Sequence, residues 1–271
     1  MKIFKDKKKL INEISKIETI AFVPTMGFLH KGHLSLIDKA KKESQNVLVS
    51  IFVNPKQFNS KNDYINYPRN ISRDIKVLEK KKVKYLYIPT YKDIYSHKTD
   101  KKIYLNRFSK LLCGKYRPGH FKGVIDVVNR FIEIIMPKSI FLGLKDFQQL
   151  TLIKQHVIKN NIRINVIACN SIRDKNGVML SSRNLKLNNK QIKIASLVYK
   201  YLKKNKNKIL KLYIANNKKI IINDILDFGV NKIEYLECLN LKTLKYSKNK
   251  KYKFNIFISY YIGGVRLIDN L

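Results

Sequence analysis

Histidines stand at positions 30 and 33, with Lys31 and Gly32 between them and Gly27 three residues upstream. The stretch around them, "FVPTMGFLHKGHLSLIDKA" (22–40), reads as a short apolar strand, a Pro24-Thr25-Met26-Gly27 turn, and an amphipathic helix. A strand-to-helix turn of this kind seats a phosphate well. Helix N-terminal N–H groups point outward there, the macrodipole adds partial positive charge, and glycine lets an anion approach the backbone. The spacing Gly27-x4-Gly32 matches a Walker A loop, but His33 and Leu34 follow where Lys and Ser/Thr are needed, and Leu34 has no hydroxyl for magnesium. The GxGxxG dinucleotide fingerprint is absent too. As a metal pair, His30 and His33 lack the glutamate of HExxH and a nearby third ligand. Two readings stay open: imidazoles that donate hydrogen bonds to nucleotide phosphates, or a histidine-capped turn.

The elements that would position such a turn follow from periodicity. Strands are expected at 19–25, 46–54, 84–90, 139–146 and 163–169, and helices at 33–44, 70–82, 123–136 (ended by Pro137) and 147–160. The run "NVLVSIFVN" is apolar almost throughout, which suits a strand buried on both faces of a parallel sheet. Five strands alternating with helices predict an α/β, doubly wound parallel sheet with right-handed crossovers. After about residue 171 the pattern changes. Helices are expected at 188–207 and 217–229, then strands in "IEYLECLNL" and "YKFNIFISYYIGGVRLIDN", the latter turning at Gly263-Gly264. This predicts domains at 1–171 and 172–271, the second a smaller α+β domain closing over the site of the first.

Composition narrows the partners. The 271 residues are 45% hydrophobic, a globular profile, with a formal net charge of +37. Of 56 basic residues only 9 are arginine and 47 are lysine, spread along the chain. Nucleic-acid readers lean on arginine's bidentate fork. Abundant Ile, Asn and Tyr beside the lysines point to AT-rich codons instead, so no specific nucleic-acid partner is expected. Cys113, Cys169 and Cys238 form no CxxC, which fits a reducing cytoplasm. No run of about 18 apolar residues occurs and the N-terminus has no signal-peptide core, so no membrane association is expected.

The segment "PTMGFLHKGHLSLI" resembles the signature of the pantothenate synthetase (pantoate–β-alanine ligase) family, within the HIGH-type nucleotidyltransferase superfamily. Further blocks match in order: "VSIFVNPKQFN" (49–59), "YPRN" with Asp74, "RPGHFKGV" (117–124), "FLGLKDFQQL" (141–150), "RDKNGVMLSSRN" (173–184) and "VRLIDN" (265–270). The resemblance spans nearly the whole chain. It implies a Rossmann-like sheet with a smaller C-terminal domain. It also implies condensation of pantoate with β-alanine, driven by ATP through a pantoyl adenylate, with release of pyrophosphate and AMP. Magnesium would accompany ATP, no organic prosthetic group is needed, and the family is typically a homodimer.

Residue roles carry over the same way. His33, His30, Lys145 and Arg183 are the implied catalytic groups, His33 as an electrostatic donor near the α-phosphate. A positioned donor of that kind contributes about 3–4 kcal/mol. ATP contacts are implied for Met26, Gly27, Phe28, Leu29, His30, Lys31, Gly32 and His33. They are implied also for Gly143, Leu144, Lys145 and Asp146, and for Ile172, Leu180, Ser181, Ser182 and Arg183. Pro24, Met26, Asn54, Gln57 and Gln149 would hold pantoate and β-alanine, amides that both donate and accept toward hydroxyls and a carboxylate. Asp74 is implied as a magnesium ligand or a support for Lys145, and Arg117 and His120 as phosphate or carboxylate contacts. Segments 60–67 and 115–122 are expected to close and exclude water. The chain departs from the family at Leu144 and Arg73, where acids are common. Two rivals are a nucleotidyltransferase for a phosphate-bearing acceptor, which Gln57 and Gln149 oppose, and a basic RNA-binding module, which the intact HxGH segment opposes.

Overall fold

The computed structural model describes residues 1–247 and 253–271. The chain divides into two compact units, Met1–Ser171 and Ile172–Leu271. In the first, β1 (Lys2–Phe4), β2 (Ala21–Thr25), β3 (Val47–Ile51), β4 (Tyr85–Tyr87), β5 (Ser139–Gly143) and β6 (Asn165–Cys169) form one sheet in the order β1-β4-β3-β2-β5-β6. Every pair is parallel. The sheet therefore has one strand more than periodicity predicts. β1 is three residues at the edge, too short for an alternating pattern.

All five residues of β3 are buried, as a two-sided strand requires. β2 carries Pro24 in the middle of the sheet, which needs a reason because proline has no N–H to donate. β2 pairs with β3 along its whole length but with β5 only through Ala21 and Phe22. Pro24 lies beyond the second ladder. There β2 and β5 diverge, and the chain runs outward to β3 on one side and β6 on the other. That is the switch point at which open α/β sheets bind ligands.

The crossovers supply α1 (Lys7–Ile14), α2 (Lys31–Glu43), α3 (Lys61–Ile65), α4 (Ile71–Lys80), α5 (Tyr91–Tyr95), α6 (Leu112–Tyr116), α7 (His120–Ile135) and α8 (Phe147–Lys159). α2 lays Leu36, Ile37 and Ala40 against Val23, Val49 and Phe141 on one face of the sheet. On α7, Phe131 sets its ring 5.4 Å from Phe22 and 6.3 Å from both Phe52 and Tyr87. These tilted and edge-on contacts anchor the helix, and truncation of such a buried ring typically costs about 3–5 kcal/mol. α7 ends at Met136, left-handed at φ 47°, just before Pro137.

In the second unit α9 (Asn189–Lys204), α10 (Lys206–Ile214) and α11 (Lys218–Leu226) pack on an antiparallel sheet of β7 (Lys232–Asn240), β8 (Phe254–Ile262) and β9 (Val265–Asn270). Asn205 breaks the helical stretch expected at 188–207, and α10 is an added helix. Gly263 and Gly264, at φ 55° and 75°, make the two-residue hairpin turn between β8 and β9. Tyr252, the expected start of that strand, lies outside the described residues.

Candidate active site

The turn after β2 is built by backbone demands. Gly27 has φ +81°, and a Cβ there would lie 3.0 Å from Ile51 and 3.1 Å from the Asp74 carboxylate. Phe28 is also left-handed, at φ 48°, a conformation that costs a non-glycine residue about 1–3 kcal/mol unless its surroundings impose it. The surroundings are Thr25, Arg73 and Asp74. The Thr25 hydroxyl donates to the Ser50 carbonyl at 2.8 Å and accepts from Gly27 N–H. Fully buried Asp74 accepts Phe28 N–H at 2.7 Å and Leu29 N–H at 2.8 Å, one on each oxygen. Arg73 lies 4.6 Å over the Phe28 ring and 3.5 Å from Asp74. Burial raises the Asp74 pKa, and the two N–H bonds oppose that rise. The Arg73 departure thus brings a cation onto the turn, where it packs on Phe28.

The turn delivers His30 as the N-cap of α2. Its Nδ1 accepts Gly32 N–H at 3.1 Å, while His33 Nδ1 accepts His30 N–H at 3.3 Å, a reciprocal capping box made of two imidazoles. A backbone N–H can only donate, so both Nδ1 atoms are unprotonated. The proton of each neutral ring is therefore on Nε2. The rings are 4.0 Å apart. Burial, then the Lys145 ammonium, pushes the His30 pKa down to about 4, with Asp146 opposing. Burial, then His30 and Lys145, holds His33 well below its ordinary value. Both are neutral donors at neutral pH. The structure shows the capped turn, and the cap places each ring's proton on Nε2, the tautomer that a phosphate donor would need.

Lys145 and Asp146 lie in the single 3-10 turn (Leu144–Asp146) that follows Gly143 at the end of β5, with Lys145 Nζ 3.2 Å from Asp146. The carboxyl ends of β2 and β5 thus bring together Gly27 to His33 and Gly143 to Asp146, with Lys31 exposed on the first turn of α2. Of the two amides opening α8, buried Gln148 donates to the Phe108 and Leu111 carbonyls at 2.7 Å each. The side chain of Gln149, half-buried, has no hydrogen-bond partner among the described residues.

On the other flank, after β3, buried Asn54 and Gln57 bond to each other, and Gln57 Nε2 lies 3.1 Å from Met26 Sδ. Pro24 and Met26 are both half-buried. A cavity of 210 Å³ opens beside Met26 and Gly27, lined also by Arg69 and Asn70. Arg117 and His120, expected on phosphate or carboxylate, both donate to the Gln57 carbonyl, at 3.1 and 2.7 Å. That leaves His120 Nε2 to accept from Arg117 at 3.1 Å. Asn59, just before the 60–67 segment, donates through Nδ2 to the Pro118 carbonyl at 2.6 Å, within the 115–122 segment. Sequence reasoning passed over Tyr95, which bonds to Asn54 in this network, and Thr25, which holds the turn after β2.

The other expected ATP contacts lie in the second unit. Leu180 N–H donates to the Ile172 carbonyl at 3.0 Å, and Gly177, at φ +84°, turns the chain between them. Arg173 straps this turn with two 2.7 Å bonds to Asp269 on β9. Ser181 caps the 3-10 turn that carries buried Ser182 and Arg183, accepting Arg183 N–H at 3.2 Å. The blocks at 173–184 and 265–270 are thus one structural device.

Comparison with known proteins extends this geometry. The chain matches the family described as Pantoate-beta-alanine ligase over residues 2–271. A pantothenate synthetase of Pseudothermotoga lettingae is 39% identical, with 97% of this chain and 94% of that protein aligned. One from Francisella tularensis subsp. novicida is 41% identical over 96% of this chain and 91% of its own. Among solved structures, the pantoate-beta-alanine ligase of Francisella tularensis, complexed with beta-gamma ATP and beta-alanine, superposes with a TM-score of 0.83 at 38% identity, covering 100% of this chain and 97% of that one. The pantothenate synthetase of Thermus thermophilus gives 0.89 at 29% identity, with 100% and 99% covered.

Proposed function

We propose how a chain that belongs to the pantoate–β-alanine ligase family, as this one does, divides its reaction among the residues described above. The enzyme forms pantothenate from pantoate and β-alanine and depends on ATP. The reading proposed here is a two-step path. A pantoate carboxylate oxygen attacks the α-phosphorus of ATP, the bond to the β-phosphate oxygen breaks, and pyrophosphate leaves. The uncharged amine of β-alanine then attacks the acyl carbon of pantoyl adenylate, AMP departs with the C–O electrons, and the amine's extra proton passes to solvent.

One observation carries the reading. Two neutral imidazoles, each with its proton on Nε2, stand at a helix N-terminus beside Lys145 at the switch point. Such donors stabilise charge building on phosphate oxygens without themselves losing a proton. Lys145 and Arg183 would add full positive charges, and Ser181 and Ser182 hydroxyls would reach the triphosphate. Gly27 to Leu29, Gly143, Leu144, Ile172 and Leu180 would frame the nucleotide, with Asp146 on the ribose. Pro24, Met26, Asn54, Gln57 and Gln149 would hold pantoate and admit β-alanine.

Both Asp74 oxygens face backbone N–H groups, so we assign Asp74 to holding the turn and place magnesium on the triphosphate oxygens. Magnesium usually keeps its waters and binds through substrate phosphates. The three cysteines are free, in keeping with a cytoplasmic enzyme, and the family likeness favours a homodimer. The test is pyrophosphate release from ATP and pantoate, with and without β-alanine. A burst that needs pantoate but not β-alanine is expected. Release that requires all three substrates would overturn the adenylate path.

A further inference from the structure

Tyr95, the last residue of α5, lies 41 positions from Asn54 in sequence, yet its phenol oxygen is 2.9 Å from Asn54 Oδ1. The direction of every bond in this chain can be worked out from one-way groups. Asn54 Oδ1 accepts Lys56 N–H at 3.2 Å, and Asn54 Nδ2 donates to the Gly123 carbonyl at 3.1 Å. A backbone N–H cannot accept and a carbonyl cannot donate, so the Asn54 amide has one orientation. The Tyr95 hydroxyl must therefore donate to Asn54. Burial raises the Tyr95 pKa, so the hydroxyl keeps its proton. The second Nδ2 hydrogen of Asn54 goes to Gln57 Oε1 at 3.3 Å. With its oxygen turned inward, Gln57 presents Nε2 outward, where its neighbour at 3.1 Å is the Met26 sulfur. A thioether is a weak acceptor, and a substrate oxygen would take its place readily.

We propose that Tyr95 is a positioning residue for the pantoate site: through Asn54 it holds Gln57 as a hydrogen-bond donor, so the substrate group met there must be an acceptor, a carboxylate or hydroxyl oxygen. The inference rests on the assignment of Gln57 to pantoate made above. The ring of Tyr95 has a separate packing role. Lys56 Nζ lies 3.8 Å over it, the Arg130 guanidinium 4.8 Å away, and the Tyr91 ring 4.6 Å away. Phenylalanine keeps all of that and removes only the O–H.

The experiment is steady-state kinetics of Tyr95→Phe, Gln57→Ala and the double variant, each substrate varied in turn. For Tyr95→Phe the expected result is a pantoate KM raised about five- to ten-fold, the size of one lost buried hydrogen bond. The KM values for ATP and β-alanine should be nearly unchanged, and the melting temperature should fall by no more than about 2–4 °C, the cost of the one lost bond. The double variant should match Gln57→Ala alone, because the effect of Tyr95 passes through Gln57. Three results would overturn the relay: an unchanged pantoate KM in Tyr95→Phe, an equal rise for all three substrates, or multiplicative effects in the double variant. If Gln57→Ala itself leaves the pantoate KM untouched, the assignment of Gln57 fails and the relay falls with it. A silent Tyr95→Phe beside a damaged Gln57→Ala sinks the relay alone.

Discussion

His33 does two jobs through its two nitrogens, and they can be separated. Nδ1 caps the helix, and Nε2 carries the proton that the proposed mechanism uses. His33→Ala should lower kcat by roughly 10²–10³, the effect of removing one positioned donor. Stability should fall by only about 1 kcal/mol, the worth of a cap. A melting curve beside the turnover assay distinguishes the two. The depressed pKa values also predict the direction of a pH effect. A histidine with a lowered pKa in the fold binds its proton in the unfolded chain first. Stability is therefore present above the unfolded value near 6.5 and is lost as pH falls from there toward about 4 for His30. His33, His97 and His156 are lowered too and add in the same direction. His30→Asn keeps a capping oxygen and removes one titration. Urea unfolding between pH 7 and 4 should show a shallower decline in that variant, and an identical slope would count against a neutral His30. The histidine-capped turn was legible because His33 and Leu34 stand where a Walker loop needs lysine and a hydroxyl, and the dinucleotide fingerprint is absent. The tautomer was not, since it depends on which backbone N–H meets each ring. Nor was the fate of neighbouring Gln148 and Gln149, which only the carbonyls of Phe108 and Leu111 tell apart.

At the scale of elements, α7 approaches the 3-10 turn Pro55–Gln57 so closely that only glycine fits the contact. A Cβ on Gly123 would sit 2.3 Å from the Lys56 oxygen and 2.9 Å from Gln57 N. In an exposed helix Gly→Ala stabilises by about 0.5–1 kcal/mol. Here the clash reverses the sign, and Gly123→Ala should destabilise by about 1–3 kcal/mol. It should also raise the pantoate KM, because the Gly123 carbonyl holds Asn54. Urea midpoints and pantoate kinetics measure both, and a stabilised variant would show that the helix can back away freely. The apolar elements β2, β3, β5, α2, α7 and α8 were readable within a few residues, since burial forces their patterns. β1 and α1 were not: one is a three-residue edge strand, and the other sits in a lysine-rich stretch with two buried side chains, Leu10 and Ile14. The break at Asn205 escaped for a different reason, as asparagine is only mildly unfavourable inside a helix.

For the whole molecule, the net charge of +37 reads in sequence as codon usage, yet physically it still acts on every ligand. ATP and pantoate are anions, whereas β-alanine at neutral pH is a zwitterion without net charge. A positive field raises the local concentration of the first two and their association rates, and salt screens it over a Debye length of about 8 Å at physiological ionic strength. Two kinds of charge contribute. Lys145 and Arg73 lie close enough to His30 to shift its pKa, within the range salt barely screens. The many surface lysines act only at long range. Raising salt from about 0.05 to 0.5 M should therefore lower kcat/KM for ATP and pantoate several-fold. The value for β-alanine, measured with the other two saturating, should hold nearly constant. A flat response for all three substrates would mean that the lysine surface contributes nothing to substrate capture, leaving the short-range cations at the switch point to do it alone. An equal fall for β-alanine would instead point to salt acting on the fold, which the melting temperature at each ionic strength would reveal.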